Sequence, residues 1–234
     1  MSETKPSENA TAQGAAEAVV QKPGQPPALA RRLRIIQVFN QYRVYGGEEK
    51  SVGRIADDLA SAGHRVARYW RSSNEWQDGK GPSKLGQALA LWNNSEALGR
   101  LEELHRQEKP DLWLLHNVVP VISLGVYKKA LELNVPIIQW LHNYRPISVS
   151  GALFAGETHL EPEDPFGNWK EVIAGSWNGR AQTFLLAACY AMTKRLGYFR
   201  SVRAWVAVSD EMKSVFKRAN WHPDRLRKIG RAHV

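Results

Sequence analysis

Short apolar runs alternate with longer amphipathic stretches along most of this chain, and the two periods predict strands and helices in turn. Residues 34–39 (RIIQVF), 65–70 (RVARYW), Leu112–Leu115, Ile137–Leu141 and 204–208 (AWVAV) read as strands, the last three as buried ones. Residues 48–62 place Val52, Ile55, Leu59 and Ala62 on one helical face and end at Gly63, a natural helix stop. Residues 85–108 predict one or two helices anchored by Leu91, Leu98, Leu101 and Leu104, and residues 178–199 a helix with a broad apolar face. Ser209 is a fitting N-cap for a last helix that begins with Asp210 and Glu211 and buries Met212, Val215, Phe216 and Ala219.

The stretch 111–145 organises the rest. Two apolar runs, each introduced by a proline (Pro110, Pro136), are each followed at once by a His-Asn pair. Between them Val121, Leu124, Tyr127 and Leu131 recur at helical spacing, with Pro120 suited to a first turn and Asn134 to the end. Strand, helix and strand in this length form a βαβ unit with parallel strands. His116–Asn117 and His142–Asn143 are thereby expected at the carboxyl ends of parallel strands, the edge of an open α/β sheet where ligands bind. A single histidine there is as often a loop or capping residue; two equivalent pairs point to a site.

Residues 1–30, rich in Ala, Gln, Pro, Glu and Ser, are expected to be a disordered tail, and order to begin near residue 31. Residues 71–83 read as loop. Residues 143–168 lack periodicity and carry three prolines and three glycines; a loop this long leaving the ligand edge of a sheet favours a functional role. The overall expectation is a doubly wound, parallel, Rossmann-like α/β sheet.

Composition narrows the classes. Cys189 is the only cysteine, which excludes an internal disulfide and a cysteine metal cluster and fits a cytoplasmic setting. No secretory signal and no run near the roughly 20 apolar residues of a membrane span is present in the sequence. The formal charge is +9, carried by the residues after the tail, and favours polyanionic partners. Without interleaved aromatics of an RNA-binding type, nucleic acid is not the expected partner. Lys194, Arg195, Arg200 and Arg203 form a basic patch after an apolar helix; a solvated face is its plainer meaning, and peripheral attachment to anionic lipid at the inner face of the plasma membrane its functional one.

Candidate chemistry lies in a few places. Gly46-Gly47 stands where a strand-to-helix loop meets a helix N-terminus, and can bring backbone N–H groups close to an anion such as a diphosphate. It is not the G-x-G-x-x-G fingerprint of dinucleotide folds, which argues against a nicotinamide enzyme. Arg145, three residues after His142, could hold a phosphate or carboxylate, although a solvated loop arginine is at least as common. The acidic run Glu161, Glu163 and Asp164 has no metal-ligand spacing and reads as loop, and Cys189 reads as core.

The strings RIIQVFNQY, YGGEE, LASAGHRV, DLWLLHNVVPVIS, VPIIQWLHNYR and WVAVSD, in this order and spacing, resemble the N-terminal domain of family 4 glycosyltransferases. The resemblance implies one half of a GT-B architecture, an enzyme that retains anomeric configuration and moves a sugar from a nucleotide-diphosphate sugar to a glycan or lipid-linked acceptor. It implies no metal and no cofactor. By position it places Gly46 and Gly47 near the donor diphosphate and acceptor, and His142 as the catalytic residue facing the transferred sugar. His116 and Asn117 line the cleft, with Asn143 and Arg145 as further substrate-binding residues. Similar members often carry cysteines after Arg145, where this chain has Ser148 and Ser150.

The nucleotide and the E-x₇-E motif of that family belong to a second domain, which is not seen in this sequence, so the fragment alone is expected to be inactive. Residues 229–234 (IGRAHV) match the translation of a sequencing-adapter read and are expected to be non-native, leaving 31–228 as the acceptor-side domain. The rival expectation from another class is a non-catalytic binding module or basic peripheral membrane protein of the same fold.

Overall fold

The computed structural model describes residues 31–77 and 81–229. The expected tail and residues 230–234 lie outside them. Of the suspected non-native end only Ile229 is described, its N–H donating to Ala207 O.

Strand β1 (Arg34–Gln41) is buried on both faces from Ile35 to Asn40, and its apolar side chains leave only Gln37 and Asn40 as interior polar groups. It pairs in parallel with β2 (Arg65–Ser72) on one side and β3 (Leu112–Leu115) on the other. The sheet continues through β4 (Ile137–Leu141), β7 (Val202–Ala207) and β8 (Leu226–Lys228), giving six parallel strands in the order β2-β1-β3-β4-β7-β8. Two further two-residue strands, β5 (Phe154–Ala155) and β6 (Thr158–His159), form a separate antiparallel hairpin. Strand order reverses between β1 and β3, which makes their carboxyl ends the topological switch point of a Rossmann-like α/β sheet.

Helices α1 (Gly47–Ser61), α2 (Lys84–Trp92), α3 (Ser95–Glu108), α4 (Gly125–Glu132), α5 (Gly167–Ala174), α6 (Arg180–Arg195) and α7 (Asp210–Arg218) complete the fold. Their ends obey local chemistry. Gly63 and Asn134 take positive φ just past α1 and α4, Asn94 caps α3, and Ser209 Oγ accepts from Met212 N at the start of α7.

Three expectations need correction. Helix α4 begins at Gly125, not at Pro120, because side chains claim the backbone of the preceding segment. Asn40 Oδ1 accepts from Val121 N at 2.8 Å, Asn94 Nδ2 donates to Val121 O at 2.6 Å, and Ser123 sits at φ 89°. The helix expected over 178–199 stops at Arg195, since Gly197 turns left-handed at φ 70° and a 3₁₀ turn follows over Tyr198–Ser201. Helix α5 was not expected at all. It packs against α6 and buries Glu171, and its outer face leaves Trp169 and Ile173 exposed, which blurs its apolar periodicity.

Candidate functional site

The loops after β1, β3 and β4 meet at the carboxyl edge of the sheet. There a cavity of about 20 Å³ is lined by His116, Asn117, His142, Asn143 and Arg145, together with Glu48, Gln139, Trp140 and Tyr190. A space that small holds a water, not a sugar, so it is the floor of a site and not its whole volume. Five of the seven residues singled out in the sequence thus converge. Gly46 and Gly47 lie immediately before Glu48, at the N-terminus of α1.

The histidines form a relay whose direction is forced. Trp70 Nε1–H, which can only donate, reaches Gln37 Oε1 at 3.1 Å, and Val52 O, which can only accept, takes Gln37 Nε2–H at 2.9 Å. Gln37 Nε2 therefore presents its second hydrogen to His116 Nε2 at 3.1 Å, making that nitrogen an acceptor. His116 must then carry its proton on Nδ1, 2.8 Å from His142 Nε2. His142 Nε2 accepts in turn, and the neutral ring keeps its proton on Nδ1. Burial among Phe39, Trp140 and one another holds His116 well below the usual histidine range, with His142 adding to the shift. Burial brings His142 down to about 4, against a smaller opposing pull from Glu49. At neutral pH His142 is an uncharged N–H donor.

His116 lines the cavity, but it is 1% exposed and both its ring nitrogens are occupied, which makes it a support that positions His142. Asn117 is similarly committed: its Nδ2 donates to Asn40 O and Val119 O, locking the loop after β3 to the end of β1. Asn143 Oδ1 accepts from Arg145 N, and its Nδ2 donates to Tyr42 Oη.

Among the described residues, two side-chain atoms of ionisable groups in this cavity are buried without a hydrogen-bond partner, Glu48 Oε1 and Arg145 Nε. Buried polar atoms without partners are uncommon and mark positions that a ligand or water completes. Burial pushes the Glu48 carboxyl up to about 7, Arg145 drawing it down and Glu49 pushing it up by less. Glu48 is therefore the group in the site that changes charge near neutrality. Burial also raises the Tyr42 phenol to about 12.

The glycine loop is held from inside. Glu49, nearly buried, accepts from Tyr42 N at 2.9 Å and from Gly46 N at 2.8 Å, clasping both ends of the segment 42–46. Gly46 has φ −138°, a conformation open to any residue, and a side chain built at Gly47 would meet nothing within 4 Å. Among the described residues nothing demands glycine at Gly47, and the space in front of it is open.

Sequence reasoning missed Glu48, Gln37, Gln139 and Tyr190. The signal for the two glutamines was available, since each is a polar residue inside an apolar run (IIQVF, IIQWL) and a buried amide must be paired. Gln139 accepts from Tyr127 Oη at 2.7 Å and donates to His116 O at 2.8 Å, tying β4 to the end of β3. The acidic run 161–164 is accounted for by ion pairs: Glu161 and Glu163 with Arg218, and Asp164 with Lys170. Among the described residues no three His, Cys, Asp or Glu side chains converge as a metal site, and no helix is long and apolar enough to cross a membrane.

The family model of Glycosyltransferase Family 4 matches residues 45–232, more than half of the chain and every residue lining the cavity just described. The chain belongs to glycosyltransferase family 4. No curated protein matches this family member significantly. Among solved structures, the S. aureus MnaA–UDP co-structure aligns with 84% of this chain and 68% of its own at 13% identity and a TM-score of 0.35. The transcription regulator GntR from Chromobacterium violaceum aligns with 84% and 78% at 10% identity and a TM-score of 0.27. The family membership assigns the chain to glycosyl transfer.

Proposed function

We propose that this chain forms the acceptor-side wall of a retaining, metal-independent glycosyltransferase that uses a nucleotide-diphosphate sugar. The observation that carries it is the convergence, in a family 4 chain, of His142, Arg145 and Glu48 at the switch point with Glu48 Oε1 and Arg145 Nε unpartnered. In this reading His142 Nδ1–H donates to an oxygen of the transferred sugar, and such a donor strengthens as negative charge develops on that oxygen. Arg145 offers a cation to the donor diphosphate, and the bare backbone at Gly46–Gly47 lets that diphosphate approach the α1 N-terminus. Glu48, poised near neutrality, is the group suited to take the acceptor hydroxyl proton. In this scheme a facing lobe supplies the rest of the cleft, and the basic patch around Arg195, Arg200 and Arg203 meets anionic lipid.

The test is titration of the chain with UDP-, GDP- and ADP-hexoses while the His142 ring is followed by ¹⁵N NMR. Perturbation of the Nδ1–H signal by one nucleotide class, lost in Arg145→Gln, supports the assignment. No response of the His142 ring to any nucleotide sugar when the facing lobe is supplied overturns it.

A further inference from the structure

Beside the His142 cavity, at the same sheet edge, lies a second and larger one of about 240 Å³, approaching the roughly 300–1,000 Å³ of small-molecule sites. It is lined from the loops after β1 (Arg43), β2 (Ser73, Trp76) and β3 (Pro120), and from one face of α2, whose Lys84, Gln87, Ala88 and Leu91 recur at helical spacing. The segment entering α6 closes it with Trp177, Asn178 and Gln182.

The chemistry of this lining is one-sided. Among the described residues it contains two cations, Arg43 and Lys84, and no carboxylate, whereas the His142 cavity balances Arg145 with Glu48. Among the described residues neither cation takes part in an ion pair. The indoles of Trp76 and Trp177 supply apolar faces of the kind that pack against sugar rings, and the amides of Gln87, Asn178 and Gln182 match hydroxyls. We infer that this cavity binds the acceptor, and that the acceptor is a polyhydroxylated ring carrying an anionic group, a phosphate above all. The inference rests on the chain being the acceptor-side wall.

A buried polar partition explains how the two cavities are held in register. Ser73 Oγ, in the second cavity, donates to Gln41 O at 2.8 Å and accepts from Asn40 Nδ2 at 2.9 Å. Asn40 O accepts from Asn117 Nδ2 at 3.0 Å, and Asn117 lines the first cavity. Asn40 is fully buried, so the partition is a fixed wall of the sheet edge and not a mobile loop. For transfer to occur, an acceptor seated against Trp76 and Trp177 must extend past this wall toward Glu48 and His142. Leu85 and Leu89, strongly exposed on the neighbouring side of α2, lie where a lipid tail attached to such a headgroup would run.

The test is calorimetric titration of the full chain with glucose, inorganic phosphate, glucose 6-phosphate and, below its micelle concentration, dihexanoylphosphatidylglycerol. Glucose 6-phosphate is expected to bind at least about tenfold more tightly than glucose or phosphate alone, a factor worth about 1.4 kcal/mol. The difference should vanish in Arg43→Gln/Lys84→Gln, two exposed positions where the fold does not depend on the charge. Tighter binding of the short-chain lipid than of glucose 6-phosphate, reduced by Leu85→Ser/Leu89→Ser, assigns the phosphate to a lipid headgroup; the reverse order assigns it to a free phosphosugar. Equal affinity for glucose and glucose 6-phosphate, binding of neither, or selectivity that survives the double substitution overturns the inference. Donor binding is read at a different place, the His142 ring, so either assignment can fail while the other stands.

Discussion

His116 Nδ1 lies 2.8 Å from His142 Nε2, and the proton between them belongs to His116. The assignment does not depend on any pH-sensitive group. It descends from an indole N–H that can only donate and a carbonyl that can only accept, through Gln37. A long-range ¹H–¹⁵N spectrum is expected to show both rings neutral with protonated Nδ1 and bare Nε2 between pH 6 and 8. Gln37→Leu removes the group that holds His116 Nε2 as an acceptor, so His142 should then populate both tautomers, with about 2–3 kcal/mol of stability lost to the orphaned Trp70 and Val52 groups. An Nε2-protonated His142 in the unaltered chain contradicts the relay.

His142→Ala addresses the chemistry. Where transfer is measured, loss of one preorganised donor is expected to lower turnover by about 10²–10³-fold. The fold should lose only about 1–3 kcal/mol, chiefly from the unpaired His116 Nδ1–H. The paired measurement is turnover at saturating donor and the denaturant midpoint of the same protein. Near-native turnover with a large drop in midpoint would make His142 a packing residue.

Much of this was legible in the residues, and the reasons are physical. The β3–α4–β4 unit was readable because apolar runs buried on both faces leave few alternatives, and Leu112–Leu115 and Ile137–Leu141 came out with their expected bounds. The start of α4 was not readable, since it depends on Asn40 and Asn94 reaching across from distant elements. The residues that converge on the cavity were legible where they stand next to strand ends. Glu48 was overlooked because an acidic residue in the first turn of a helix looks like dipole compensation, and only the fold places Tyr42, Asn143 and Arg145 around it.

The loop after Arg145, where serines stand instead of cysteines, is organised by a residue from a helix that the sequence did not reveal. Glu171 is fully buried and accepts from Ser148 Oγ, Val149 N and Ser150 N at 2.8–2.9 Å. Glu171→Ala leaves those donors unpaired and is expected to cost about 3 kcal/mol or more. Hydrogen exchange should locate the loss: faster exchange over residues 146–153 with β1–β4 unchanged. Uniform acceleration across the sheet would instead give Glu171 a part in the main core.

Glu48 supplies a prediction whose sign can be worked through. Its folded pKa of about 7 lies above the ordinary 4.5, so between these values the folded chain binds more protons than the unfolded one, and Glu48 withdraws stability as pH rises through that window. His142 acts the other way. Its folded pKa of about 4 lies below the ordinary 6.5, so lowering the pH through that window favours the unfolded chain, which takes up the proton. The two windows overlap and their slopes oppose. In Glu48→Gln only the histidine slope of this pair remains: the variant should be about 3–3.5 kcal/mol more stable than the parent at pH 8, at about 1.36 kcal/mol per pKa unit, and no more stable at pH 4. Chemical denaturation at several pH values between 4 and 8 reads this directly. The same titration should appear as an inflection near pH 7 in the rate profile of the parent, absent in Glu48→Gln. A stability difference that is flat with pH would show that the Glu48 carboxyl is already solvated and ordinary, and would remove it as the group that takes the acceptor proton.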